Sequence, residues 1–117
     1  MAQGHAIQRH VRQSPRKMRL VIDLIRGKDV NEAMAILKFN KRIAARQIAK
    51  TLKSAVSNAE QKAMQENERF DADDLLVTKA IVNGGTPLRR IQAAAQGRAT
   101  PIRKRTSHVE IHVGSKE

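Results

Sequence analysis

The chain has 117 residues, enough for one small domain and too few for two ordinary ones. It carries 23 Lys+Arg against 11 Asp+Glu, a formal net charge of +12 with a pI near 11.2, so its expected partner is a polyanion, with nucleic acid first. The lack of cysteine excludes disulfides, thiolate metal sites and cysteine nucleophiles, and no apolar run approaches the roughly 20 residues of a membrane span, so a soluble, unexported cytoplasmic protein with no membrane partner is expected.

His5 to Val11 reads as a short half-buried strand, with Ile7, Arg9 and Val11 on one side and Ala6, Gln8 and His10 on the other. Ser14-Pro15 offers an N-cap followed by proline at the first helical position, and Met18, Val21, Ile22 and Ile25 recur at helical spacing until Gly27 stops the helix. Arg12, Arg16, Arg19 and Arg26 form a second stripe on that segment, free to meet phosphate. A short helix follows from about Val30 to Lys38, with Asp29 or Asn31 at its start and Ala33, Ile36 and Leu37 inward. After Asn40 a long helix carries Ala44, Ile48, Leu52, Ala55, Val56, Ala59 and Ala63 on one close-packing stripe. The polar stretch Gln65 to Asp74 closes it, and Asp71, Asp73 and Asp74 make a solvated entry turn.

Leu75 to Val82 is a buried strand by its β-branched content, and Val109, Ile111 and Val113 alternate with His108, Glu110 and His112 in a last strand that should pair with it. Between them, residues 84 to 105 hold only Leu88, Ile91 and Ile102 as large apolar side chains and cannot bury a core of their own. They read as a long hairpin turning near Ala93 to Gly97, with a reach of roughly 30 Å at about 3.3 Å per residue. The expected class is α+β: three helices on a small three-stranded sheet, one domain over 1–117, with residues 84–105 as a protruding arm.

Charge is uneven along this layout. Residues 1 to 28 hold seven basic residues and one acid, residues 29 to 74 hold eight of each, and residues 75 to 105 hold seven basic residues and no acid. Two acid-poor segments around a balanced middle suit a divided binding surface. Phe39 and Phe70 are the only aromatic residues, so reading single strands by stacking bases on exposed aromatic rings is not expected. Recognition of phosphate and RNA shape by Arg and Lys remains.

Other constellations carry less. Gly84-Gly85-Thr86 lacks the spacing and lysine of a phosphate loop and reads as backbone freedom at the arm's root. His108 and His112 share a strand face but lack carboxylate or thiolate neighbours of ligand spacing, so no metal and no cofactor are expected. No nucleophile with a base, and no paired carboxylates in an apolar pocket, can be singled out, so neither an enzyme nor a small-molecule substrate is expected.

From Ser14 to Lys28 the run SPRKMRLVIDLIRGK, with Asn58-Ala59-Glu60 and the run Gly97 to His108, GRATPIRKRTSH, resembles the bacterial large-subunit ribosomal protein twenty-two family over nearly the whole chain. The resemblance implies a body on large-subunit rRNA near the mouth of the nascent-peptide tunnel. It also implies a hairpin that lines the tunnel beside neighbouring ribosomal proteins and the nascent peptide, in a region linked to macrolide susceptibility. It places Leu88, Arg89 and Arg90 at the constriction, and Arg98, Arg103, Lys104 and Arg105 against RNA. Ala93, Ala94 and Gln96 stand where relatives often carry proline, arginine and another basic residue, so the tip is less charged. With the basic stripe, the expected rRNA-binding set is Arg9, Arg12, Arg16, Lys17, Arg19, Arg98, Arg103, Lys104, Arg105, Thr106 and His108. The expected tunnel-lining set is Leu88, Arg89, Arg90, Ala93, Ala94 and Gln96. The rival reading is a free-standing nucleic-acid-binding regulator that uses the Ser14 helix as its reader.

Overall fold

The computed structural model describes residues 3–93 and 95–115. Along the chain run β1 (Gln3–Val11), α1 (Pro15–Ile22), α2 (Val30–Phe39), α3 (Ile43–Gln65), a 3-10 turn (Ala72–Asp74), β2 (Leu75–Gly84), β3 (Leu88–Ala93), a second 3-10 turn (Ala95–Gly97), β4 (Ala99–Lys104) and β5 (Ser107–Ser115). The architecture is α+β, as expected: β1, β5 and β2 form an antiparallel sheet with β5 in the middle, and β3 and β4 form a separate two-stranded sheet.

β5 alternates as its sequence does. Ser107, Val109, Ile111 and Val113 are buried toward the helices, whereas His108, Glu110 and His112 are half-buried on the other face. Both flanking strands need a bulge to match it. In β2 a strict alternation from Leu75 and Val77 would drive the charged Lys79 into the core; a register shift between Val77 and Lys79 leaves Thr78 and Lys79 exposed and buries Ala80 and Val82 instead. In β1 the shift lies between Gln8 and Val11, where His10 takes φ 58, so Ala6 and Val11 share the core face and Ile7 is 46% exposed. The expected pairing of Ile7 with Val11 on one side is therefore corrected: an extra residue reverses the side-chain parity between them.

α1 is shorter than its apolar spacing suggests. It ends at Ile22, and Ile25 reaches the core from the following turns, whose last residue, Gly27, has φ 77. Its N-terminus is as expected, Ser14 Oγ accepting from the Lys17 backbone N–H at 3.3 Å with Pro15 behind it. In α3 the expected stripe is buried at Ala44, Ile48, Leu52, Ala55, Ala59 and Ala63, with Val56 half-buried against the core. The alanines bring α3 onto β1: a Cβ added at Gly4 would lie 2.5 Å from Ala59 N and 2.7 Å from Ala55 O. Asn58 fastens the same contact by donating to His5 O at 2.8 Å.

The arm leaves the sheet where β2 and β5 diverge. Gly85 N–H donates to Thr106 O at 2.9 Å and Thr106 Oγ1 donates to Thr86 O at 2.8 Å, so the root is pinned from both strands. A side chain at Gly85 would collide there, its Cβ 2.5 Å from Thr106 Oγ1. Beyond the root, Leu88 to Ala93 pair with Lys104 to Ala99, and the turn closes through Gln96 and Gly97 at φ 63 and 73. No described residue of β3 or β4 is buried; Leu88 and Ile102 are half-buried and Ile91 is 77% exposed. The long axis is 66 Å, against 27 and 17 Å across.

Two outcomes follow from this packing. Gly4→Ala should cost roughly 1–3 kcal/mol, because the new methyl meets backbone atoms that cannot turn aside; a urea titration should show a lower midpoint with an unchanged slope. Limited trypsin digestion of the free protein should cut first at Arg89, Arg90, Arg98 or Arg103, since an isolated two-stranded ribbon opens most easily. First cuts between Arg42 and Lys62 would contradict the stable α3 described above.

Candidate nucleic-acid interface

The turn from β1 into α1 lies beside the strand that returns from the arm. Val11 is buried and pairs with Ser107, and Gln13 N–H donates to Val11 O at 2.8 Å, so Arg12 is carried at a fixed corner. Arg12, Gln13, Ser14 and Lys17 then face Arg103, Lys104 and Arg105 across a cleft of about 460 Å³. A second hollow of about 440 Å³ shares Gln13 and Lys17 and continues over Lys41, Arg42, Ile43 and Ala44. Seven cations thus border one continuous surface, and no acidic side chain lines either hollow. The first turns of α1 and α3 also carry no acid. Such an arrangement repels itself until an anion enters, and a row of phosphates is the ligand that fits it.

The expected site residues divide. Arg12, Lys17, Arg103, Lys104 and Arg105 converge on the cleft; Arg9, Arg16 and Arg98 are exposed but line neither hollow. Arg19 and Arg26 turn instead to the free edge of β2. Arg19 donates to Val82 O from Nε and Nη2 at 3.3 and 3.0 Å, and Arg26 to Ala80 O at 3.1 and 2.7 Å while bonding Asp23 Oδ1 at 2.6 Å. Val77 completes the row through Gly27 N–H and Lys28 O at 3.1 and 2.9 Å. Carbonyls that an edge strand would present to another chain are thereby occupied. The four-arginine stripe is corrected accordingly: the helix stops too early for all four to share a face, and β2 carbonyls lie within reach of two.

Thr106 is buried and its hydroxyl is taken by Thr86, while His108 Nδ1 accepts from His10 N–H at 3.1 Å and its ring meets that of His10 edge-on. On the arm, Leu88 sits at the root, Arg89 lies directly opposite Arg103, Arg90 donates to Arg89 O at 2.8 Å, Ala93 pairs with Ala99, and Gln96 is in the turn. Ala94 falls outside the described residues. Lys41 and Arg42 were not among the expected residues. The signal was present: from 33 to 59 the sequence has six basic residues and no acid, a run hidden when counted together with the acids at either end of 29–74.

At the far end of the sheet His5 and His112 stack at 5.1 Å, and His112 Nε2 lies 2.8 Å from Glu110 Oε1. The hydrogen bond with His112, aided by electrostatic attraction to the same ring and to Lys79, holds the Glu110 carboxyl below its usual range despite some desolvation. Each histidine of β5 has a histidine partner on β1, and among the described residues no group of three ligating side chains could hold a metal ion.

The family model described as "Ribosomal protein L22p/L17e" matches residues 6–114. The chain is similar to the large ribosomal subunit protein uL22 of Bifidobacterium longum (strain DJO10A), 49% identical over 115 residues, which are 98% of this chain and 97% of that one. It is equally similar, over the same shares, to the protein of that name from Oceanobacillus iheyensis. The uL22 of Desulfitobacterium hafniense (strain Y51) is 49% identical over 117 residues, 100% of this chain and 98% of the relative.

The two classes of arginine are separable by experiment. Arg26→Ala should lower stability by roughly 1–2 kcal/mol, as expected for charge-assisted hydrogen bonds to partly buried carbonyls, and leave polyanion affinity of the folded protein little changed. Arg12→Ala should do the opposite, altering the melting temperature hardly at all while weakening binding to RNA. Thermal melts and filter binding on the same two preparations decide it.

Proposed function

Because the chain belongs to the ribosomal protein L22p/L17e family, we propose that it holds large-subunit ribosomal RNA in the cationic angle between its body and its arm. As a member of that family it is a structural constituent of the large ribosomal subunit, resident with the ribosome in the cytoplasm, and not an enzyme. The single observation that carries the finer reading is the meeting of Arg12 and Lys17 with Arg103, Lys104 and Arg105 around an acid-free cleft. Phosphates entering there release condensed counterions and relieve the repulsion among the side chains. Arg9, Arg16 and Arg98 extend the contact on exposed surface, while Arg19, Thr106 and His108 act by fixing the strands that carry the others.

In this reading the arm lines the nascent-peptide tunnel, with Leu88, Arg89, Arg90, Ala93, Ala94 and Gln96 along the passage and neighbouring ribosomal proteins and the nascent peptide beside it. Its exposure and length support that role. So does Arg89 opposite Arg103, a like-charged cross-strand pair that disfavours the free hairpin and favours one sheathed in polyanion. A groove-reading regulator fits less well: α1 has eight residues, buries Met18, Val21 and Ile22 in its own core and commits Arg19 to β2.

The test is salt-dependent binding of the full-length protein to a large-subunit rRNA transcript. With about six to ten phosphates engaged, affinity should fall roughly 10³- to 10⁵-fold between about 50 and 200 mM salt. Arg12→Gln with Arg103→Gln should flatten the slope by nearly one for each phosphate no longer neutralised. Replacing residues 90–102 by an Asn-Gly turn, which removes both strands in register and spares the cations of the cleft, should leave incorporation into purified subunits intact and change the response to a tunnel-bound macrolide. A flat salt dependence overturns the phosphate mechanism, and loss of incorporation on trimming the arm overturns the division between anchor and tunnel wall.

A further inference from the structure

Phe39, the last residue of α2, is 79% exposed, although it is one of only two aromatic residues in the chain and the other, Phe70, packs against the core. A phenyl ring left in water forfeits the gain of burial, so its position asks for a partner. The surroundings indicate which kind. Lys38 Nζ stands 5.9 Å from the ring centroid, Lys41 and Arg42 follow within three residues, and no acid occurs between residues 33 and 59. Asn40 Oδ1 accepts from Arg42 N–H at 2.9 Å, which stiffens the turn and fixes ring and guanidinium on one short segment. Lys41 and Arg42 line the hollow that opens into the cleft of Arg12 and Arg103 through Lys17. Phe39 therefore precedes by two residues the first of the cations that line this hollow.

We infer that Phe39 is the stacking platform for one unpaired base of the bound RNA, whose flanking phosphates are held by Lys38, Lys41 and Arg42. An aromatic ring with cations on its own segment is the pairing that single-stranded nucleic acid recognises, because the π-face takes the base and the charges take the backbone. One ring takes one base, so the contact tolerates any base and adds affinity without reading sequence. An apolar protein surface is the competing occupant; it would leave Lys38, Lys41 and Arg42 at its rim without counter-charge unless it were strongly acidic. The inference rests on the RNA-binding reading above.

The chain has no tryptophan or tyrosine, so Phe39→Trp places a single reporter at the platform. Its fluorescence should be quenched when full-length protein is mixed with the large-subunit rRNA transcript. Phe39→Ala, at an exposed position and therefore folded by circular dichroism, should bind that RNA about 5- to 150-fold more weakly with the same salt slope, since stacking releases no counterions. If the parent protein binds RNA and the tryptophan is not quenched, or if Phe39→Ala binds as tightly, the platform is wrong and the phosphate cleft stands. If the tryptophan shifts blue without quenching only when other ribosomal proteins are added, the occupant is a protein and the inference fails. If the parent protein does not bind the RNA at all, both readings fall together.

Discussion

Repulsion among side chains of one sign, brought together and left without a counter-charge, governs how this chain is organised. Arg12 and Lys17 on one side of the cleft and Arg103, Lys104 and Arg105 on the other come from opposite ends of the sequence, and the sheet forces them to meet because Val11 pairs with Ser107. In water each such approach costs on the order of 1 kcal/mol at about 4 Å, and less once salt screens it. The body tolerates this because its core is independent of it: Met18, Ile22, Ile25, Ile48, Leu52, Val109 and Ile111 are wholly buried. The arm has no such reserve. Its two strands share six residue pairs, one of them Arg89 opposite Arg103, and neither strand buries a side chain.

That difference separates a body that supports itself from an arm that buries no core of its own. Two glycines show it in small. Gly4 lets β1 press against Ala55 and Ala59, a contact inside the core that is stabilised by its own close packing. Gly85 lets Thr106 approach Thr86, a contact that joins the two strands at the arm's root through a hydroxyl-to-carbonyl hydrogen bond. The root is thus fixed by the body, while the rest of the hairpin is held by its own backbone ladder alone.

Much of the body was legible in the sequence because its patterns obey one period at a time. Val109, Ile111 and Val113 alternate cleanly and are the inner row of β5; Ala44, Ile48, Leu52, Ala55 and Ala59 keep helical spacing and are the buried face of α3. The errors fall where a period breaks. The bulge in β1 reverses parity between Ile7 and Val11, and only a weak propensity marks it: histidine is enriched at positive φ, as at His10, but glycine would have advertised the turn far more plainly. In β2 the clue was available: Lys79 falls on the inward phase set by Leu75 and Val77, and a charged residue at a core position signals that the phase must shift. The hollow over Lys41 and Arg42 was missed for a different reason, because a charge count over 46 residues averages out an acid-free run of 27.

Arginines are the residues whose roles sequence separates least, and the geometry explains why. A guanidinium presents several donors in a plane and is satisfied equally by two phosphate oxygens or by a backbone carbonyl. Arg12, Arg16, Arg19 and Arg26 are indistinguishable as letters, yet only Arg19 and Arg26 sit where the edge of β2 offers unpaired carbonyls at Val82 and Ala80. Those carbonyls lack a strand partner because β2 is the last strand of the sheet, a property of strand order that pairs Val82 with Val109 and puts no further strand of the sheet on its other side. Arg12 instead faces other cations across its cleft. The same chemical group therefore closes the sheet in one place and stands among other cations a few residues away, and the topology of the edge, rather than the residue type, decides which.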